Sequence, residues 1–220
     1  MIMCPSTFSL VKVCGLTRQE DAHLCAQLRV NLAGFIFHPD SPRNIAPEAA
    51  AAIDTGAMMR VGVFVRQSVE EVREIMSRAR LHLAQLHGDQ VEAFCEALGR
   101  NRVMRVFWPE RHASREDLER EMARFVPLAR YFLLDAGSGG GGHGRATDFT
   151  LLAGLRVDKS WFLAGGLGPD NLAEALLRTC PCGVDLNSGV EASPGIKDHD
   201  KVRTAMSILG SISQQPSEKS

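Results

Sequence analysis

The chain has almost no net charge: its 220 residues carry 25 Lys and Arg against 26 Asp and Glu, a balance of −1. That near-neutrality removes the electrostatic case for a nucleic-acid partner or an anionic membrane surface. Long apolar runs are missing too, none approaching the roughly 20 residues that span a bilayer. The opening MIMCPSTFSL has no basic segment ahead of an apolar stretch, so no secretory signal is read there and the expected location is the cytoplasm. Cysteine pairs at metal spacing are absent. Among the six cysteines, Cys4, Cys14, Cys25, Cys95, Cys180 and Cys182, there is no CxxC and none lies near histidines at zinc-ligand spacing. Cys180-Pro-Cys182 is a CxC, open to reading as a redox pair or as a plain loop. Cys25 and Cys95 fall in helical patterns and read as small buried apolar residues.

What is present is an ordinary globular composition, 45% hydrophobic and 23% charged, arranged in a steady alternation. Short apolar runs predict strands at 10–13, 32–37, 60–65, 83–86, 102–107, 131–134, 161–164 and 183–186. Amphipathic stretches predict helices at 18–28, 47–53, 69–80, 91–98, 115–125, 169–177 and 198–209, with a weaker one at 149–155. Eight strand–helix units imply an α/β protein, a single-domain (β/α)8 TIM barrel over residues 1–209. Such barrels typically need about 250 residues, so the loops here must be short. An open doubly wound sheet would carry its phosphate glycines after the first strand, where only Gly15 stands. The polar segment 210–220 is expected to be disordered.

Functional groups of a barrel gather at the carboxyl ends of its strands. Here those ends carry Cys14, His38, Arg66, His87, Trp108, Asp135, the Gly165-Gly166 pair and Asp185. In LVKVCGLT, Lys12 and Cys14 stand two apart and share a strand face, so a positive charge sits beside a thiol and favours the thiolate. Asp135 ends the apolar strand YFLLD, where lost solvation would hold its proton more tightly; it fits a general acid or a loop-capping aspartate. LAGGLGPDN at 163–171 and DLNSGVE at 185–191 are glycine-rich turns after the seventh and eighth strands, the first leading into a helix expected to start at Pro169. Two such turns on adjacent strands favour a phosphate site built from backbone N–H groups. In HPDSPRNI, two prolines stiffen a loop and would fix Arg43 over the mouth, suited to a carboxylate.

The motifs KVCGLT, GFIFHPDSPRNI, VGVFV, QLHGDQ, LLDAG, LAGGL and GVDLNSGVEASPGIKD, in this order, resemble the phosphoribosylanthranilate isomerase family of tryptophan biosynthesis. The resemblance covers nearly the whole chain, from Val11 to Leu209. It implies a barrel enzyme that rearranges N-(5′-phosphoribosyl)anthranilate to 1-(2-carboxyphenylamino)-1-deoxyribulose 5-phosphate by acid–base chemistry. No metal and no cofactor are implied, and the partner is a small phosphoribosyl substrate bound by a monomer or homodimer. By resemblance, Cys14 is the base and Asp135 the acid, while Arg43 faces the anthranilate. Gln85, His87 and Asp185 bind substrate, and Gly165, Gly166, Ser188 and Gly189 hold the phosphate. The sixth loop departs from the family's GGTGK with its following Phe-Asp-Trp: this chain reads GGHGRATDF. Arg145 in that loop is a further phosphate candidate. A histidine-pathway isomerase resembles the chain less, since that family places an aspartate where Cys14 stands. A non-catalytic sugar-phosphate binder would need no acid–base pair.

Overall fold

Along the first strand, β1 (Leu10–Val13), Val11 and Val13 point outward while Lys12 points inward, and this period of two recurs around the molecule. In the computed structural model the described residues are 10–137 and 150–213. They contain β2 (Leu32–Ile36), β3 (Met59–Phe64), β4 (Leu83–Leu86), β5 (Val103–Phe107), β6 (Tyr131–Asp135), β7 (Trp161–Ala164) and β8 (Gly183–Leu186), all parallel and closed in sequence order. The closure pairs β8 with β1, setting Lys12 opposite Asp185. Leu32, Val61, Leu83, Met104, Leu133 and Phe162 fill the barrel interior. Their outward neighbours, such as Ala33, Phe64, Leu86, Phe132 and Leu163, pack beneath the helices. The expected barrel is observed, with strand ends within one residue of prediction.

Helices α1 (Gln19–Gln27), α2 (Pro47–Ala52), α3 (Val69–Arg78), α4 (Glu92–Leu98) and α5 (Arg115–Phe125) follow the first five strands. Local chemistry marks their starts: Pro47 opens α2, Ser68 and Glu71 form a capping box on α3, and Ser114 accepts from the Asp117 amide on α5. One buried guanidinium finishes two of them. Arg60 donates to Ala50 and Ile53 carbonyls at the end of α2 and to Ala79 O beyond α3, with its plane over Phe35. Carbonyls at a helix end are short of intrahelical donors, and Arg60 supplies buried ones, adding to the bond that Ala50 O already takes from Ile53 N.

Three helical predictions depart from the structure by more than two residues. Of the segment predicted as a helix at 149–155, the described residues 150–155 hold a single 3-10 turn, Thr150–Leu152. α6 (Leu172–Thr179) begins three residues after Pro169, because Asn171 holds the preceding turn: its side-chain oxygen accepts from Gly168 N and its amide donates to Gly166 O. The last helix, α7 (His199–Ser213), carries on past Leu209 into the stretch expected to be disordered. Residues 214–220, Cys4, and the divergent sixth-loop positions 138–149 with Arg145 lie outside the described residues. Cys182 is a free thiol, so the Cys180-Pro-Cys182 pair does not close on itself. Among the described residues no helix is long and apolar enough to cross a membrane.

Candidate active site

Lys12 and Cys14 both project into the barrel mouth and both are buried. The Lys12 ammonium donates to Asp185 Oδ2 at 2.8 Å, while Asp185 Oδ1 has no partner. Space for this pair depends on Gly34 in β2. A Cβ there would lie 2.8 Å from Cys14 Sγ and 3.1 Å from Lys12 Nζ, so thiol and ammonium occupy the volume a side chain would take. Burial opposes the charge on Lys12, but Asp185 and Cys14 together hold its pKa above the usual lysine value. The expected thiolate is corrected here. Burial pushes the Cys14 thiol up, and the downward pull of Lys12 does not overcome it. The resting sulfur is therefore a thiol beside a cation.

Asp135 stands at the end of β6 with different surroundings. Its Oδ1 accepts from Gly137 N at 3.2 Å, and burial raises its pKa, in the expected direction. His87 Nε2 lies 3.8 Å from Asp135 Oδ2, too far for a hydrogen bond. Burial pushes His87 down to about 4, so the ring is neutral near neutral pH and forms no ion pair there. Trp108 meets the His87 ring edge-on at 5.3 Å, and Gln85 Nε2 approaches His87 Nδ1 at 3.5 Å. Gln85 Oε1 is buried with no partner, a second orphan acceptor beside that of Asp185. Two unpaired acceptors in one mouth suit a ligand rich in hydroxyl and N–H donors. His38 and Arg66 share the exposed Asp40, at 3.6 and 3.7 Å, and take no part in this grouping.

Arg43 does reach the mouth, but not as a free side chain. Its Nε and Nη2 grip buried Glu191 at 2.9 and 2.6 Å, and Lys197 Nζ meets the same carboxylate at 2.9 Å. Gly15 makes room for that path: a Cβ would lie 2.8 Å from both Arg43 Cδ and Asn187 Oδ1. Along the neighbouring rim the turns after β7 and β8 pass backbone against backbone. A Cβ on Gly189 would sit 2.2 Å from Leu167 O, and one on Gly165 would sit 2.4 Å from Gly137 N. Gly165 and Gly166 have φ of 116° and 67°, open to glycine and strained for other residues. The N–H groups of Gly166, Ser188 and Gly189 donate to no acceptor among the described residues. Among the described residues no group of three or more His, Cys, Asp and Glu is placed to hold a metal ion.

A family model described as N-(5'phosphoribosyl)anthranilate (PRA) isomerase matches residues 11–207. The chain belongs to the phosphoribosylanthranilate isomerase family. It is 48% identical over 201 residues to N-(5'-phosphoribosyl)anthranilate isomerase of Maridesulfovibrio salexigens, covering 91% of this chain and 98% of that one. The solved phosphoribosyl anthranilate isomerase of Thermotoga maritima superposes with a TM-score of 0.82 at 33% identity, over 92% of this chain and 98% of that one. A third relative, 30% identical with a TM-score of 0.76 over 92% of this chain and 98% of that one, was solved with reduced 1-(o-carboxyphenylamino)-1-deoxyribulose 5-phosphate.

For this isomerase-family barrel, reading from sequence alone missed the supports of the site. Glu191, Lys197 and Asn187 fix Arg43, and Gly34 makes room for the thiol. One local signal was available for Gly34: a glycine inside an apolar strand marks a close approach. Glu191 had none, since it meets Arg43 from 148 residues away.

Proposed function

We propose that this isomerase works by paired proton transfers, with Asp135 as general acid and Cys14 as general base on a phosphoribosylanthranilate substrate. The observation that carries the reading is the placement of these two groups at inward-facing strand ends of one mouth, both desolvated and Cys14 also beside a cation. Asp135 Oδ1 accepts from Gly137 N, which leaves Oδ2 as the oxygen open to carry and deliver a proton, and burial makes that proton harder to lose. That proton goes to the ribose ring oxygen, whose C–O bond breaks to leave a Schiff base. The cationic imine acidifies the C2′ hydrogen. Cys14 takes it as the thiolate, a minority form reached by release of the thiol proton to solvent beforehand and stabilised by Lys12, and the resulting enolamine relaxes to the ketone.

The free edge of Arg43 faces the anthranilate carboxylate, and the orphan acceptors of Gln85 and Asp185 receive substrate donors. His87, neutral and braced on Trp108, lines the acid side. The N–H groups of Gly166, Ser188 and Gly189, which have no acceptor among the described residues, hold the phosphate, with Gly165 giving their turn its path. The enzyme acts in the cytoplasm as a monomer or homodimer; forms of the Thermotoga maritima relative include monomers made from a dimer.

A fluorescence assay following loss of phosphoribosylanthranilate tests the reading. Purified protein should consume it and yield the carboxyphenylamino ketose phosphate. A folded protein with no turnover on it would contradict the reading.

A further inference from the structure

Behind Arg43 sits a buried pair that neither proton transfer uses. A guanidinium carries five N–H groups in one plane. Glu191 occupies the side edge, taking Nε at 2.9 Å and Nη2 at 2.6 Å. The end edge, made by Nη1 and the second hydrogen of Nη2, has no partner among the described residues. A carboxylate arriving in that plane can still be held by two parallel bonds. Glu191 therefore decides which edge of Arg43 is presented, and Gly15 leaves no side chain to displace it.

Charge is the second half of the matter. An arginine paired one-to-one with a glutamate is neutral and attracts a further carboxylate weakly. Lys197 alters that balance. Its Nζ reaches three acceptors: Glu191 Oε1 at 2.9 Å, Asn187 Oδ1 at 3.1 Å and Asn187 O at 3.3 Å. Burial pulls the Lys197 pKa below the usual lysine value while Glu191 opposes that fall, and a set of three oxygen acceptors, one of them a carboxylate, fits an ammonium. Arg43, Lys197 and Glu191 then form a cluster of two cations and one anion, with Lys197 and Glu191 buried and Arg43 at its open edge.

We propose that Glu191 and Lys197 are positioning residues for carboxylate recognition: Glu191 orients Arg43, and Lys197 restores the positive charge that Glu191 cancels, so the site selects a ring bearing a carboxylate. This rests on the reading of Arg43 as the residue facing the anthranilate.

The test compares two ligands, reduced 1-(o-carboxyphenylamino)-1-deoxyribulose 5-phosphate and its counterpart lacking the ring carboxylate. Wild-type protein should prefer the carboxylated ligand. Lys197→Gln keeps polar atoms near Glu191 and Asn187 but removes the charge. It should cut that preference by about tenfold, the scale of one partly buried charge, through the carboxylated ligand alone. Lys197→Arg should restore most of it, which a purely structural role does not predict. In turnover, Lys197→Gln should raise KM for the substrate by a larger factor than it lowers kcat. Should Lys197→Gln not fold, Lys197→Met carries the same comparison, since it leaves the Arg43–Glu191 pair intact. Equal weakening of both ligands, or a preference that survives the loss of charge, would overturn the proposal. A wild-type protein without any preference would also overturn the Arg43 reading beneath it, a result distinguishable from the other two.

Discussion

The two sides of the barrel mouth are built in opposite ways. Around β1 and β8 the walls are wired by charge: Lys12 to Asp185, Arg43 to Glu191, and Lys197 to both Glu191 and Asn187. Around β4 to β6 the described residues set no ion pair into the mouth: His87 is neutral and edge-on to Trp108, Arg111 stacks on the Trp108 ring and pairs with exposed Asp89, and Asp135 holds one backbone amide. The contrast has a chemical consequence. A base must give up its proton before it acts, so cations nearby help it. An acid must keep its proton until it acts, so a desolvated place without a paired cation helps it.

Removing either partner should break the comparison most severely. Cys14→Ala should leave the fold intact and lower kcat by about 10²–10⁴-fold, the usual worth of a general base. Asp135→Asn should lose turnover on a similar scale while the Kd for the reduced product analogue stays near wild type. Asparagine keeps shape and hydrogen bonding but has no acidic proton. Near-wild-type turnover in folded Cys14→Ala would remove the base; affinity lost in step with turnover would make Asp135 a binding residue.

Gly34→Ala should disturb only the charged side. Its Cβ would lie 2.9 Å from Cys14 Cα, which is backbone and yields poorly. Overpacking of this kind costs about 1–3 kcal/mol, read from denaturant unfolding. The displaced thiol should also lower kcat more than it raises KM. Unchanged stability and kcat would show that the thiol does not depend on this space.

Gly166→Val tests the rim between the two sides. The Gly166 Cβ direction is open and its φ is 67°, so a valine would both strain the turn and fill the anion's position. KM should rise and inhibition by inorganic phosphate weaken, whereas Cys14→Ser should leave phosphate inhibition unchanged. Phosphate inhibition unaffected by Gly166→Val would place the anion elsewhere.

The smallest effect concerns pH. Burial raises both Asp135 and Cys14, from ordinary values that already place the carboxyl below the thiol. The productive form, acid protonated and base deprotonated, is then a minority species whose share is constant between the two pKa values. kcat/KM should fall as pH drops through the Asp135 pKa and fall again as it rises through that of Cys14. The alkaline limb should coincide with the thiolate titration seen as an ultraviolet difference between wild type and Cys14→Ala. A limb at another pH would detach Cys14 from the rate.

Much of this was legible in the sequence, for stated reasons. Period-two alternation put Lys12 with Cys14 and left Asp135 at an inward strand end, because side-chain direction along a strand depends on local geometry alone. The charge state of Cys14 was not legible. A neighbouring lysine is visible in KVC, but the burial that outweighs it is made by residues from the rest of the barrel. The start of α6 was misread at Pro169 because Asn171, two residues on, draws the turn together through Gly166 and Gly168. The Glu191–Lys197 pair lies inside SGVEASPGIKD, which carried the family resemblance, yet only folding brings it against Arg43.

Deuterium at C2′ of the substrate tests the division of labour between the two sides most directly. If Cys14 removes that hydrogen, Cys14→Ala makes its cleavage limiting, and the isotope effect on kcat/KM should rise above the wild-type value. If Asp135 opens the ring beforehand, Asp135→Asn makes the earlier step limiting, and the effect should collapse toward unity. An isotope effect in Asp135→Asn as large as that in Cys14→Ala would contradict the assignment of acid and base to opposite sides of the mouth.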